Sequence, residues 1–391
     1  MKGKVVLFAL AALFFISCGN NCCTEKKLYD QQYFDQLDST LKSYTRAGDV
    51  NITYVDASSL NLIGKALPTS EFSHRIDTNQ YKGFTKGEIR QAISGAGLAL
   101  VFKTNSPVIN LEPEFGWELE ALNTMPMAYR GFDLYIQKDG KWLWAASKAN
   151  WPEDHRYYKE SAFTLIDCMD DSEKICLLYL PMYSELKGLK VGVAEGSYIE
   201  AIDTPFRHKI VFHGSSFTQG ISISRAGMSY PTQFSRKTGL GIIPLGFSGN
   251  CKMQPYFADF LEDVQADAFV FDSFSNPGAK MIYERVENFV DRMVASHPGV
   301  PLIFQRTIYR ESRNFNCRKM VEEQARQDMS DSMMKELCKK YKDVYYIEAD
   351  ATSEDHETSV DGTHPGDYGY TLWARSIEKP ILKILAKYGI K

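Results

Sequence analysis

Several short segments of the chain carry the side chains that acyl transfer to a serine would need. Ser216 lies in the glycine-bracketed loop 214–220, where its hydroxyl could act as a nucleophile. The segment 361–364, Asp-Gly-Thr-His, can bring a carboxylate and an imidazole together within one turn. A second glycine turn at 246–250 offers a backbone N–H, and Asn276 offers a side-chain amide, for a developing oxyanion. Each segment alone is a weak signal, but together they supply the roles that acyl transfer requires.

These segments must be brought together by the ends of β-strands. The apolar runs that predict strands are Lys209–His213, Gly241–Leu245, Ala268–Asp272, Leu302–Gln305 and Val344–Ile347. Helical periodicity is found at Tyr230–Thr238, Ala279–Ser296, Phe315–Tyr341 and Tyr368–Tyr388. This alternation predicts an α/β fold in which helices cover both faces of a parallel sheet. Ligand sites of such sheets lie outside the carboxyl ends of the strands, and each of the segments above follows a predicted strand.

The segments resemble the sequence blocks of the SGNH hydrolases, also called the GDSL esterase/lipase family. The first block, G-D-S-x-T-x-G, is similar to residues 214–220, and the D-x-x-H block to residues 361–364. The glycine of the second block matches Gly249, and the asparagine of the third block matches Asn276. All these blocks occur in the family's order, and the resemblance covers roughly residues 206–391.

The resemblance implies the roles of individual residues. Ser216 would be the nucleophile, and Asp361 and His364 would be its catalytic partners. The Ser216 N–H, the Gly249 N–H and the Asn276 side chain would form the oxyanion hole. This chemistry requires no cofactor and no metal.

Two positions depart from the family's blocks. Ser215 stands where the first block has an aspartate, and the third block lacks its usual glycine, with Phe274 two residues before Asn276. Neither departure removes a member of the expected triad. We expect Phe274 to narrow the acyl pocket toward a small group such as acetyl.

The N-terminal half has a different pattern, which predicts an all-β sandwich of the jelly-roll kind. Short alternating runs, the clearest of which are Leu98–Lys103, Phe132–Ile136 and Ile175–Leu180, are separated by turn residues, and no long helix is predicted. Residues 131–135, Gly-Phe-Asp-Leu-Tyr, are similar to the G-x-D-L-Y signature of a sandwich domain that precedes SGNH domains in some bacterial proteins. The arrangement resembles that of acetyl-xylan-type carbohydrate esterases.

Two features of the sandwich segment leave alternatives open. The tryptophans Trp117, Trp142, Trp144 and Trp151 could form a platform on which sugars stack, or could belong to the sandwich core, which is the interpretation we favour. Cys168 and Cys176 flank a turn-like stretch and could face each other across a hairpin, or remain unpaired thiols.

The N-terminus predicts an export signal. Lys2 and Lys4 precede an apolar run, Val5–Ile16, which is too short to span a bilayer as a helix. The run ends at Cys18 in a segment that resembles the lipobox of bacterial lipoproteins, in which the cysteine is acylated; a plain secretory peptide is the alternative. We expect a lipoprotein in the outer membrane that faces the periplasm or the cell surface. The predicted division is a signal peptide (1–17), a tether (18–45), the sandwich (46–203) and the hydrolase domain (204–391).

Composition excludes several other classes of function. The chain has 391 residues and a net charge of −4, so a nucleic-acid partner held by phosphate contacts is not expected. His356, Asp361, His364 and Asp367 could form a metal site, although loop residues of these types usually do not. Arg306 and Arg310 follow the fourth predicted strand and could reach the cleft, but surface ion pairs are the favoured interpretation.

These observations predict an exported serine esterase that removes acyl groups, with acetyl favoured, from a glycan. The lipid anchor would attach it to a membrane, and its partner would be an acylated glycan. The first alternative is another acyl hydrolase, a lysophospholipase or a thioesterase, because one fold hosts many substrates. The second is a surface glycan-binding protein that has lost catalytic activity.

Overall fold

The first part of the chain forms two antiparallel sheets. The computed structural model describes residues 45–119, 121–149 and 162–391. The strands are β1 (Ile52–Asp56), β2 (Asn61–Ile63), β3 (Ala99–Thr104), β4 (Ile109–Glu118), β5 (Phe132–Lys138), β6 (Lys141–Lys148), β7 (Phe163–Ile166), β8 (Lys174–Tyr179), β9 (Ser184–Ala194) and β10 (Ile199–Ala201). One sheet has the order β1-β9-β4-β7, and the other has the order β10-β3-β8-β5-β6 with β2 beside β3. Apolar side chains of both sheets share one core, which confirms the predicted sandwich.

Two short helices interrupt the sandwich. Helix α1 (Lys86–Ala92) begins with a capping box, because Thr85 and Glu88 bond to each other's backbone N–H groups. Helix α2 (Pro126–Tyr129) is a single turn that begins with proline. Neither is long, so the sequence pattern was too weak to predict them.

The second part is the predicted α/β fold. Strands β11 (Arg207–Gly214), β12 (Leu240–Gly246), β13 (Ala268–Asp272), β14 (Leu302–Gln305) and β15 (Val344–Ile347) form a parallel sheet of order β12-β11-β13-β14-β15. The helices are α3 (Ser216–Gln219), α4 (Tyr230–Thr238), α5 (Pro255–Glu262), α6 (Ala279–Ser296), α7 (Cys317–Lys340) and α8 (Asp367–Leu385). Helices α4 and α8 pack on one face of the sheet, and α5, α6 and α7 pack on the other. Helix α5 and the single-turn helix α3 are not among the helices predicted from the sequence.

The sandwich and the α/β region share an interior. Arg75, which is 1% exposed, donates from Nη1 to the carbonyl oxygens of Pro244 and Gly246, both at 3.1 Å. It also donates to the carbonyls of Gln91 and Ser94 at 2.6 and 3.0 Å. Burial lowers the pKa of Arg75 to about 9. Because the buried guanidinium bonds to carbonyls of both parts, the sandwich is fixed to the carboxyl end of β12.

The G-x-D-L-Y segment provides a second point of attachment. Buried Asp133 accepts hydrogen bonds from Arg225 Nη1 and from the Gly227 N–H, both at 2.8 Å. The Tyr135 hydroxyl is also bonded to Arg225. A Cβ at Gly131 would lie 2.2 Å from a backbone carbonyl oxygen, so only glycine fits there. The signature therefore joins the sandwich to the segment that follows α3.

Cys168 and Cys176 do not face each other across a hairpin, and the alternative of unpaired thiols is confirmed. Strand β7, which precedes Cys168, belongs to the first sheet, whereas Cys176 lies within β8 of the second sheet. Both cysteines are unpaired, and Cys176 is buried. A local turn pattern cannot show that consecutive strands join different sheets.

Some predictions concern residues outside the described ranges. These are the export signal, Cys18, the tether to residue 44 and Trp151. Within the described ranges, no helix combines the length and the apolar character needed to cross a membrane.

Candidate active site

The position of Ser216 follows from a tight turn at the end of β11. Ser215 caps the one-turn helix α3 by accepting a hydrogen bond from the Phe217 N–H at 3.1 Å. Gly220 ends the helix with a φ of 92°, which favours glycine. Ser216 is therefore the first residue of a constrained turn, and it is 5% exposed.

Ser216, His364 and Asp361 form a continuous hydrogen-bonded chain. His364 Nε2 lies 3.0 Å from Ser216 Oγ, and His364 Nδ1 lies 2.8 Å from Asp361 Oδ2. A carboxylate can only accept, so Nδ1 carries the proton and Nε2 accepts from the Ser216 hydroxyl. This arrangement lets the imidazole take the serine proton while the carboxylate offsets the charge that forms on the ring.

Asp361 is held ionised by its surroundings. Partial burial alone would raise its pKa, but hydrogen bonds from the His364 side chain and N–H, Asn123 and the Thr363 N–H outweigh burial. The net effect lowers the pKa of Asp361 to about 2. The carboxylate therefore stays negative throughout the pH range in which a histidine base works. Sequence analysis did not identify Asn123.

The expected oxyanion donors lie at the ends of three adjacent strands. Gly214 of β11 is in register with Gly246 of β12 and with Asp272 of β13, so the loops that follow start at one edge. Within the described ranges, the N–H groups of Ser216 and Gly249 donate to no protein acceptor. The Asn276 side chain accepts from the Cys251 N–H at 3.1 Å through Oδ1, which leaves its NH₂ group available to a ligand.

A buried carboxylate supports the nucleophile turn from the neighbouring strand. Asp272 Oδ2 accepts from the Ser215 N–H at 3.1 Å, the Ser215 hydroxyl at 2.5 Å and the Thr218 hydroxyl at 3.2 Å. Oδ1 accepts from the Ser275 hydroxyl, next to Asn276. Burial raises the pKa of Asp272, against the effect of these hydrogen bonds. Ser215 stands where the first block has an aspartate. The carboxylate that bonds to this turn is that of Asp272, at the end of β13.

The expectation that Phe274 narrows the acyl pocket is wrong. Phe274 is fully buried and packs against Phe304 and Tyr346, with ring centroids 6.0 and 6.1 Å away. It belongs to the core that α5, α6 and α7 cover. A side chain with no exposed surface cannot line an open acyl pocket.

Other sequence candidates have structural partners. Arg306 pairs with Asp331, as expected of a surface residue. Arg310 is instead largely buried, donates to the Ser275 carbonyl and lies 5.3 Å from the Phe217 ring.

The four residues that were weighed as a metal site, and not favoured as one, bond to other protein groups. The His356 ring packs on Tyr309 at 5.2 Å, and Asp367 accepts from the Ser224 N–H at 2.8 Å. Within the described ranges, no group of three or more metal-ligating side chains is found.

The described tryptophans contact neighbouring protein groups. Trp142 stacks on Phe206 with ring centroids 5.9 Å apart. Trp144 is 54% exposed, and its Nε1 donates to Asp133 at 3.1 Å. The Trp117 ring lies 5.7 Å from the Arg90 guanidinium. Trp142 packs against the buried core, as the favoured interpretation predicts, whereas the exposure of Trp144 contradicts a place in the sandwich core.

Most of the chain matches models of acylhydrolase and esterase families. Residues 207–383 match the GDSL-like lipase/acylhydrolase family. Residues 52–199 match GxDLY, described as the N-terminus of esterases of the SGNH hydrolase type. The solved structure of a GDSL-like lipase from Bacteroides ovatus is 40% identical, with a TM-score of 0.82 over 86% of this chain and 98% of that chain.

Two more distant solved structures share the fold. The salicylyl-acyltransferase SsfX3 from a tetracycline biosynthetic pathway is 18% identical, with a TM-score of 0.69 over 87% of this chain and 99% of that one. A family two carbohydrate esterase from Cellvibrio japonicus is 12% identical, with a TM-score of 0.57 over 86% of this chain and 98% of that one. No curated protein matches the chain.

Proposed function

The chain belongs to the GDSL-like lipase/acylhydrolase family, and we propose that it is a serine esterase that removes acetyl groups from a carbohydrate. The observation that carries this proposal is the hydrogen-bonded chain from Ser216 through His364 to Asp361, at 3.0 and 2.8 Å. The choice of a carbohydrate is supported by the fold shared with the Cellvibrio japonicus esterase.

In this proposal Ser216 forms an acyl intermediate. Its Oγ attacks the ester carbonyl while His364 Nε2 takes the hydroxyl proton. The N–H groups of Ser216 and Gly249 and the Asn276 amide hold the oxyanion, and each such donor typically contributes about 100-fold or more to the rate. Collapse of this intermediate expels the sugar oxygen, which receives the proton from His364.

A water molecule then completes the cycle. It attacks the acetyl carbonyl as His364 takes one of its protons, and the same donors hold the second oxyanion. When this intermediate collapses, acetic acid leaves and gives its proton to solvent to form acetate, and Ser216 Oγ regains its proton from His364. Atoms and protons balance with water as the only further reactant.

An acyl-chain series tests the substrate proposal. We expect the wild-type protein to hydrolyse 4-nitrophenyl acetate with a higher kcat/KM than the butyrate or octanoate ester, and to release acetate from acetylated polysaccharides. A preference for octanoate would contradict the proposal and favour a lysophospholipase or thioesterase. Glycan binding without turnover of any ester would favour a binding protein.

We also propose that the protein is an exported lipoprotein anchored through Cys18. Support comes from Lys2 and Lys4 ahead of the apolar run 5–16, and from the small residue before Cys18. We expect Cys18→Ser to move the protein from the membrane to the soluble fraction, because the acyl chains provide the anchor. Equal membrane fractions for both proteins would contradict the proposal.

A further inference from the structure

The sandwich contributes a side chain to the hydrogen bonds of the triad. Asn123 lies on the loop that joins β4 to α2, and its Nδ2 donates to Asp361 Oδ2 at 2.8 Å. The same oxygen accepts from His364 Nδ1 at 2.8 Å. A side chain that is 238 residues away in sequence therefore bonds directly to the carboxylate that orients the base.

The loop that carries Asn123 is attached to the α/β region. The Thr124 hydroxyl accepts from the Ser222 N–H at 3.2 Å, and Thr124 is 6% exposed. Ser222 follows helix α3, which carries Ser216. At the other end of the loop, the Leu119 N–H donates to the Tyr183 carbonyl at 3.0 Å. Asn123 thus lies between Leu119 and Thr124, and each of these two residues is hydrogen-bonded to a residue outside the loop.

We propose that Asn123 is a positioning residue of the esterase, and that the sandwich completes the triad through it. This inference rests on the proposed function. Asn123 acts through Asp361: its donor fixes the plane of the carboxylate, and the carboxylate fixes the imidazole of His364.

The other donors to Asp361 show why the hydrogen bond from Asn123 affects the position of the carboxylate. Oδ1 accepts from the N–H groups of Thr363 and His364 at 2.9 and 2.8 Å, both within the same short turn. Oδ2 accepts from the His364 ring and from Asn123. Among these donors, Asn123 alone lies outside the turn 361–364, so it ties the turn to the rest of the protein. Its hydrogen bond also helps to lower the pKa of Asp361 to about 2.

The first test is Asn123→Ala in the full chain. We expect kcat to fall about 10-fold with KM unchanged, because the bond removed acts on the orientation of the base. Titration with a phosphonate that labels the nucleophile counts active sites, so kcat per site is separated from loss of folded protein. Asn51→Ala is the matched control, since Asn51 Nδ2 donates to the Glu195 carboxylate at 2.9 Å on the exposed surface. The control is expected to retain wild-type kcat.

Asn123→Asp gives a readout that a merely structural role would not change. Among the described residues, His364 and the buried Tyr370 are titratable side chains that interact with Asp361, and the variant adds a carboxylate beside Oδ2. Two adjacent carboxylates share a proton at low pH, and that proton can donate as the Asn123 amide does. We expect the activity of Asn123→Asp relative to wild type to fall as the pH rises, whereas the relative activity of Asn123→Ala stays constant.

The outcomes separate this inference from the proposed function. A wild-type kcat per site in Asn123→Ala, or a pH-independent ratio for Asn123→Asp, overturns the positioning role. If Ser216→Ala is inactive in the same experiment, the esterase proposal still stands. If Ser216→Ala is fully active, the esterase proposal itself fails.

Discussion

Asp361→Asn is expected to lower kcat/KM by about 10⁴-fold without unfolding the protein. An amide in place of the carboxylate must direct its NH₂ group toward one of two sets of donors. One set is the His364 ring with Asn123, and the other is the N–H groups of Thr363 and His364. If the NH₂ group faces the ring, the imidazole proton moves to Nε2, which can no longer accept from Ser216.

The measurement is kcat/KM for 4-nitrophenyl acetate, with thermal unfolding recorded on the same samples. Asp350→Asn serves as a control, because Asp350 accepts from a backbone N–H at 2.9 Å in a surface turn. A loss smaller than about 10-fold in a folded Asp361→Asn protein would show that the carboxylate does not set the tautomer of the base.

Gly246→Ala is expected to reduce the free energy of unfolding by about 3 kcal/mol and kcat/KM by at least about 10-fold. A Cβ at Gly246 would lie 2.1 Å from the Gln219 nitrogen and 2.4 Å from its Cα. Both are backbone atoms of α3, so the contact can be relieved only if the helix moves away from the end of β12. That movement displaces Ser216 from His364.

Urea unfolding and steady-state kinetics measure the two effects. The matched control is Gly87→Ala, because a Cβ at Gly87 has no heavy atom within 4 Å. Since Gly87 lies in helix α1, the control should keep or slightly increase stability. Wild-type stability and activity in Gly246→Ala would contradict the close packing of α3 on β12.

Local patterns in the sequence predict the sheet and the position of the serine turn. Strands β13, β14 and β15 begin and end at the predicted residues, because their apolar runs are continuous and bounded by turns. The order of the strands also places the segments that carry Ser216, Asp361 and His364 at one edge of the sheet. Their roles came from the family resemblance, and the sequence alone does not show that Ser216 and His364 meet.

Contacts between distant segments could not be predicted in the same way. Asn123 lies in a loop with no motif of its own, and only the docking of the sandwich brings it to Asp361. Asp272 was placed at the end of a predicted strand, but its bonds to Ser215 and Thr218 depend on how neighbouring strands align. Phe274 was wrongly assigned to the acyl pocket, because a position near a motif does not show against which face of the sheet a side chain packs.

The most direct test of the central claim is hydrolysis of 4-nitrophenyl acetate by wild type and Ser216→Ala. Ser296→Ala is the matched control, since among the described residues its hydroxyl bonds only to backbone carbonyls of helix α6. We predict that Ser216→Ala loses activity by about 10⁴-fold or more while Ser296→Ala keeps it. A folded Ser216→Ala protein with the wild-type rate would contradict the assignment of Ser216 as the nucleophile.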